Sequence, residues 1–292
     1  MSLVTLKNDD ITVVLNSAGA VLHSVIKDGC EYIWQGDEKY WKSRDYNLFP
    51  YVGRLTEDSY FFRGARYGMS RHGFVRGMEF EVSELSDTSV TFSVSDNDET
   101  RSMYPFSFIF SVSYSLSGST VMKTVNVQNT GSSEMFFGLG FHPGFNVPLD
   151  GDEEFESWYL EFDEESDPVR MCFNPENFRL SGIETPYELA QGRIFSLDHS
   201  LFDNDAVVLS RMPKAVTLRS PLSKRSVKVA YPDMNFLGIW HMPKTDAPYV
   251  CIEPWLSLPS HSSYIENLED QEFLQELDAG KQYTNTMTIE FI

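Results

Sequence analysis

From Glu79 to Phe141 the chain reads as almost nothing but strand, and this run constrains the fold more than any other. Within 120–128, Val121, Val125 and Val127 fall on one side, while Met122, Thr124, Asn126 and Gln128 fall on the other. Period-two alternation of this kind marks strands whose two faces meet different surroundings. The runs 107–116, 120–128 and 133–141 are separated only by Ser117-Gly118-Ser119 and Asn129-Thr130-Gly131. Loops so short join antiparallel neighbours, not parallel crossovers. The stretch Asn97–Arg101 breaks the pattern as a polar link ending at Tyr104-Pro105-Phe106. A last alternating run carries Tyr283, Asn285, Met287, Ile289 and Phe291 on one face.

The remainder fits the same class. Asp28-Gly29 between 20–26 and 30–34 is a hairpin signal. Gly36–Phe49 reads as a long loop with Tyr40, Trp41, Tyr46 and Phe49, aromatics that either line a sugar site or plug a core. Further strands are expected near 216–218, 227–231 and 236–240, and one short helix over Asn267–Leu277, closed by Ala279-Gly280. The acidic runs 150–156 and 163–167 read as solvated loops and lack the ligand alternation of a calcium loop. No repeat or linker divides the chain. With 292 residues, 41% of them hydrophobic, the expectation is one all-β domain over 1–292, a large antiparallel β-sandwich with little helix.

Charge narrows the partners. Lys plus Arg is 23 against 43 Asp plus Glu, a net charge of −20 that repels nucleic acid and anionic membrane and is indifferent to neutral ligands. Cys30, Cys172 and Cys251 are odd in number and far apart, so neither a disulfide framework nor a metal motif is expected, and a reducing compartment is. The first residues do not read as a signal peptide, and no apolar run reaches the length of a membrane span, so a cytoplasmic protein is expected. No phosphate loop, dinucleotide fingerprint or nucleophile elbow occurs, and the histidines are too scattered for metal-ligand spacing. No cofactor is expected.

Acid–base chemistry remains. In Gly138-Leu139-Gly140-Phe141-His142-Pro143-Gly144-Phe145, Pro143 holds His142 extended, while the glycines let another segment or a ligand approach. In Tyr249-Val250-Cys251-Ile252-Glu253-Pro254-Trp255, an apolar strand ends at a carboxylate beside a tryptophan, where restricted solvent would raise its pKa. Arg54 follows a glycine in an aromatic neighbourhood and offers a planar fork of donors. His72 precedes Gly73 in a polar loop, and Asp205 stands at the mouth of a strand. Taken singly, each also has a structural reading: a turn histidine, an edge glutamate, a surface arginine.

The blocks Leu48-Phe49-Pro50-Tyr51-Val52-Gly53-Arg54, His72-Gly73-Phe74-Val75-Arg76, Gly140-Phe141-His142-Pro143-Gly144-Phe145 and Cys251-Ile252-Glu253-Pro254-Trp255 resemble, in order and spacing, the signatures of the aldose 1-epimerase (galactose mutarotase) family. Ala18-Gly19-Ala20 and Tyr32-Ile33-Trp34 fit as well, and the likeness is nearest to the mutarotase-like branch of bacterial sugar operons. The resemblance implies a β-sandwich with its site on an open, concave sheet face. It implies Glu253 as general base on the anomeric hydroxyl, His142 as general acid on the ring oxygen, and His72 and Arg54 as sugar-binding groups. It matches Asp205 to an aspartate that holds sugar hydroxyls, with Asp203 as the alternative. The partner implied is a free aldohexose such as galactose or glucose, handled by a monomer or homodimer.

Two rival readings stand beside it. A hexose-6-phosphate epimerase would need convergent cations, for which Arg63, Arg66, Arg71 and Arg76 are candidates. A non-catalytic sugar-binding or sensing module would need no acid–base pair.

Overall fold

The computed structural model describes residues 2–151 and 153–292. Two antiparallel sheets dominate. One has nine strands in the order Ile194–Ser196, Tyr159–Phe162, Ala215–Arg219, Ser226–Ala230, Gln282–Phe291, Thr120–Asn129, Phe108–Ser117, Ser89–Ser95, Glu81–Ser83. The other runs Leu180–Pro186, Val169–Phe173, Val207–Ser210, Phe236–Trp240, Tyr249–Trp255, Gly140–Phe141, Asn47–Leu48, and Gly144–Asn146 also pairs with Tyr249–Trp255. A four-stranded antiparallel sheet, Leu3–Lys7 through Cys30–Glu31, holds the amino-terminal segment.

Period two decides which residues fill the space between the large sheets. In the nine-stranded sheet Val121, Val125 and Val127 point inward, joined by Met287, Ile289 and Phe291. In the eight-stranded sheet Val207, Leu209, Leu237, Ile239, Val250 and Ile252 point into the same core. The alternate residues Val208, Phe236 and Trp255, with Tyr249 and Cys251, pack on the opposite face in two smaller clusters. The eight-stranded sheet is therefore buried on both faces, one by the core and one by side chains and loops around a cavity.

Lys123 shares the inward face of the valines and is wholly buried. Its ammonium meets the Asp45 carboxylate at 2.9 Å, with no exposure on either side chain. The sequence showed the valines on that face but not this pair.

Three local expectations change. The run 133–141 is not one strand: Met135–Phe137 pairs with Gln275–Leu277, while Gly140–Phe141 joins the eight-stranded sheet. The polar link at Asn97 is a helix, Asp98–Met103, closed by a capping box in which Asn97 accepts from the Thr100 N–H and Thr100 accepts from the Asn97 N–H. The helix expected over Asn267–Leu277 is a single 3-10 turn, Leu268–Asp270, followed by the strand Gln275–Leu277. Pairing with Met135–Phe137 outweighs the weak helical spacing there. No helix among the described residues is long and apolar enough to cross a membrane.

Candidate active site

Register brings the two central groups together. Gly140 lies opposite Trp255, and Gly144 lies opposite Cys251. The midpoint of that stretch sets His142 against Glu253, whose side chain points away from the core by the alternation of its strand. Their atoms Nε2 and Oε2 are 3.2 Å apart. Both residues are buried. The strand runs on through Pro254 to Trp255, so Glu253 is interior to it and not, as expected, its end. What Gly140 admits is a neighbouring side chain and not a ligand: a Cβ there would lie 2.9 Å from the Trp255 indole.

His72 arrives on a loop that only an unusual backbone can form. His72 and Gly73 are both left-handed, with φ of 66° and 68°. A Cβ on Gly73 would sit 2.1 Å from the Phe49 carbonyl oxygen, so glycine alone lets the loop close onto that segment. The Gly53 N–H donates to His72 Nδ1 at 3.1 Å, and the His72 N–H donates to the Gly53 carbonyl at 2.8 Å. Since a backbone N–H can only donate, Nδ1 is bare and the ring proton is on Nε2, available to a ligand.

His72, His142 and Glu253 line one cavity of about 260 Å³, together with Arg54 and Asp205. Asp203 is exposed and outside that lining, so between the two aspartates it is Asp205 that faces the cavity. Trp41 and Tyr46 form an aromatic wall: Trp41 stacks on His142 with centroids 4.9 Å apart, and Tyr46 meets it edge-on at 5.9 Å. Within the same aromatic loop Phe49 instead fills the core. Such a wall suits the C–H faces of a pyranose.

Electrostatics sets the protons. Burial pushes the Glu253 carboxyl well above the usual carboxylate range, with Asp205 adding to the effect and Trp255 and Arg71 opposing it. The Trp255 indole N–H faces the carboxyl without meeting it in hydrogen-bond geometry. Burial pulls His142 down to about 3, its own backbone opposing and the cations Arg71, Arg76 and Lys123 adding. His72 is held well below the ordinary imidazole value, again chiefly by burial. Both shifts run toward the uncharged forms, a protonated carboxyl beside a neutral imidazole. Moving the carboxyl proton across 3.2 Å gives the carboxylate–imidazolium form with the same total charge.

Two contributors to the site, Trp240 and Cys251, escaped sequence reasoning, and of the four candidate arginines only Arg71 reaches the cavity. Trp240 meets His142 edge-on at 5.6 Å. Arg71 lines the cavity with Arg54, whereas Arg66 pairs with Glu57, Arg76 covers the Tyr46 ring and Arg63 covers Phe62. Cys251 comes with His142 and Glu253 into a group whose ligand atoms all lie within 4.8 Å, although none of their spacings signals it.

The molecule is an antiparallel β-sandwich with a buried imidazole–carboxyl pair under an aromatic wall. Residues 2–290 match the family model described as aldose 1-epimerase. The chain is 35% identical over 284 residues to "Protein LacX, chromosomal" of Lactococcus lactis subsp. lactis, covering 92% of each chain. It superposes with a TM-score of 0.94 on a galactose mutarotase related enzyme from Lactobacillus acidophilus, at 33% identity, covering 100% of this chain and 97% of that one. A galactose mutarotase-like protein from Lactobacillus casei gives 0.94 at 30% identity, with 100% of both chains covered. The chain belongs to the aldose 1-epimerase family.

Proposed function

We propose that the protein interconverts the α and β anomers of a free aldohexose such as galactose or glucose by general acid–base catalysis. The observation that carries this reading is the buried His142–Glu253 pair, 3.2 Å apart in the lining of a polar and aromatic cavity. Anomer exchange needs one proton taken from the C1 hydroxyl and one given to the ring oxygen. Both oxygens are bonded to C1, so the donor and acceptor must be neighbours. As the C1–ring-oxygen bond breaks, the aldehyde forms; rotation about C1–C2 turns its other face, and closure returns both protons.

Glu253 takes the C1 proton and His142 serves the ring oxygen in this reading, the pair entering turnover from its ion-pair form. Sugar hydroxyls that displace water over the pair would support that form. Each positioned group can supply roughly 100- to 10,000-fold. His72 Nε2–H, Arg54 and Asp205 bind and orient hydroxyls. No step creates a charge that calls for a cofactor, and a neutral polyol suits a protein of net charge −20. The proposal treats 1–292 as one unit, supported by the core shared between both large sheets. It places the work in the cytoplasm, which suits three cysteines without disulfides.

A second reading has its own support. Arg54 and Arg71 both line the cavity, and no carboxylate lies within ion-pair distance of either among the described residues. Two free guanidinium groups would receive a 6-phosphate. Optical rotation of freshly dissolved α-galactose, α-glucose and their 6-phosphates separates these readings. Faster decay on the free sugars supports the first and on the phosphates alone the second; no acceleration on any of them refutes both.

A further inference from the structure

Cys251 precedes Glu253 by two residues on one strand, so its thiol points to the same side of the sheet. His142 reaches that side from the link between the strands Gly140–Phe141 and Gly144–Asn146. One imidazole nitrogen, one thiol sulfur and one carboxylate oxygen thus converge within 4.8 Å, all from buried residues. One polar atom there, His142 Nδ1, is buried without a hydrogen bond, and the buried Glu253 Oε2 is approached by His142 Nε2 at 3.2 Å. Unpaired buried polar atoms are costly, and a ligand that engages them is favoured. Two of the three, His142 and Glu253, also line the cavity.

We propose that His142, Cys251 and Glu253 form a binding site for a divalent, borderline-soft metal ion, Zn²⁺ being the best match, and that occupancy blocks the sugar reaction. Three protein ligands, two of them lining a cavity, match the protein ligand count of an open zinc site. Thiolate and imidazole select such an ion over Mg²⁺ or Ca²⁺, which take oxygen ligands. Charge fits as well: a thiolate and a carboxylate cancel the two charges of the ion, so the buried complex is neutral overall. Binding breaks the S–H bond and, where the carboxyl is protonated, its O–H bond; metal–sulfur and metal–oxygen bonds form, up to two protons leave to solvent, and no electrons move. Tetrahedral bonds of about 2.0–2.3 Å put ligand atoms roughly 3.3–3.8 Å apart. His142 and Glu253 already stand at 3.2 Å, and the remaining separations, within 4.8 Å, must close by at most roughly 1 Å. An ion there occupies the lone pairs that the acid–base reading assigns to proton transfer. The binding half of the proposal stands on the geometry alone; the blocking half rests on that reading.

Cobalt(II) is the direct probe, because a cobalt–thiolate bond gives a charge-transfer absorption. Wild type, the Cys30→Ser/Cys172→Ser variant and Cys251→Ser are titrated with Co²⁺, and Zn²⁺ affinity is measured by calorimetry. The proposal expects a one-to-one band in the first two proteins and none in Cys251→Ser. It expects Zn²⁺ affinity to fall more than about 100-fold in Cys251→Ser, since losing a ligand should exceed the 10- to 100-fold cost of losing an outer-shell partner. Affinity in wild type should rise with pH as the thiol proton is released. If Cys251→Ser does not fold by circular dichroism, Cys251→Ala replaces it. A band that survives in the Cys251 variant, or its absence in wild type, overturns the site. Zinc bound at Cys251 with mutarotation unaffected overturns the blocking half. A protein inactive on every sugar that still gives the Cys251-dependent band keeps the metal site and refutes the enzymatic reading.

Discussion

Replacing Lys123 by methionine should be among the most damaging single changes remote from the cavity. The ammonium and the Asp45 carboxylate are 2.9 Å apart with no exposure. Asp45 Oδ2 also accepts the Leu22 N–H at 3.1 Å, while Oδ1 is buried without a partner. Burial lowers the Lys123 pKa, and Asp45 opposes that shift. Removing the ammonium strands a buried carboxylate, a loss of about 3–5 kcal/mol. At about 2–4 °C per kcal/mol for a chain of this size, that is a fall in Tm of roughly 6–20 °C. Asp45→Asn together with Lys123→Met removes both charges and should restore most of the loss. The change should also reach the site. The carbonyl of Tyr46, next to Asp45, accepts the His142 N–H at 3.1 Å, and that of Arg44 accepts the Gly144 N–H at 2.9 Å. Thermal melts followed by circular dichroism give the test. A single variant within about 3 °C of wild type, or a double variant no better than the single, would refute the reasoning.

The remaining predictions concern protons and the loop. The kcat/KM profile should be bell-shaped: below the His142 pKa the pair carries two protons and no base, and above the Glu253 pKa it carries none to give. Because burial holds His142 near 3, the acid limb should lie well below the ordinary imidazole value of 6.5, and an acid limb at or above 6.5 would contradict the electrostatics. Stability should fall as pH drops below 6.5, because His72, His142 and His241 are all depressed by burial while their unfolded forms take up protons. Each such imidazole gives a slope of about 1.4 kcal/mol per pH unit, partly offset by the raised carboxyls Glu253 and Glu266, and urea melts at pH 7, 6 and 5 would show it. Gly73→Ala should cost about 1–3 kcal/mol from its left-handed backbone alone, plus the clash with the Phe49 carbonyl, and should weaken sugar binding by displacing His72; calorimetric affinity equal to wild type would contradict this.

The strands were legible because burial on opposite faces writes period two into the sequence, as at 120–128 and 282–291. The split of 133–141 was not, since nothing in Met135-Phe136-Phe137 says which sheet it will join. The helix Asp98–Met103 hid because its capping box uses Asn97 and Thr100 in place of the usual Ser or Thr with Glu or Gln. His72, His142 and Glu253 stood out through Gly and Pro neighbours that constrain the backbone. Trp240, Lys123 and Cys251 carry no such mark; their proximity to the pair, or to Asp45, is made by packing between segments distant in sequence.

The central claim, that Glu253 and His142 exchange protons as one unit, is tested most directly by polarimetry of fresh α-galactose or α-glucose. Wild type, Glu253→Gln, His142→Asn and the double variant are compared under the same conditions. If the pair works as a unit, each single variant loses at least about 100-fold in kcat while sugar binding survives, and the double variant is little worse than either. Single variants with near-wild-type rates on a sugar that wild type interconverts would contradict the account, as would losses that simply multiply in the double variant.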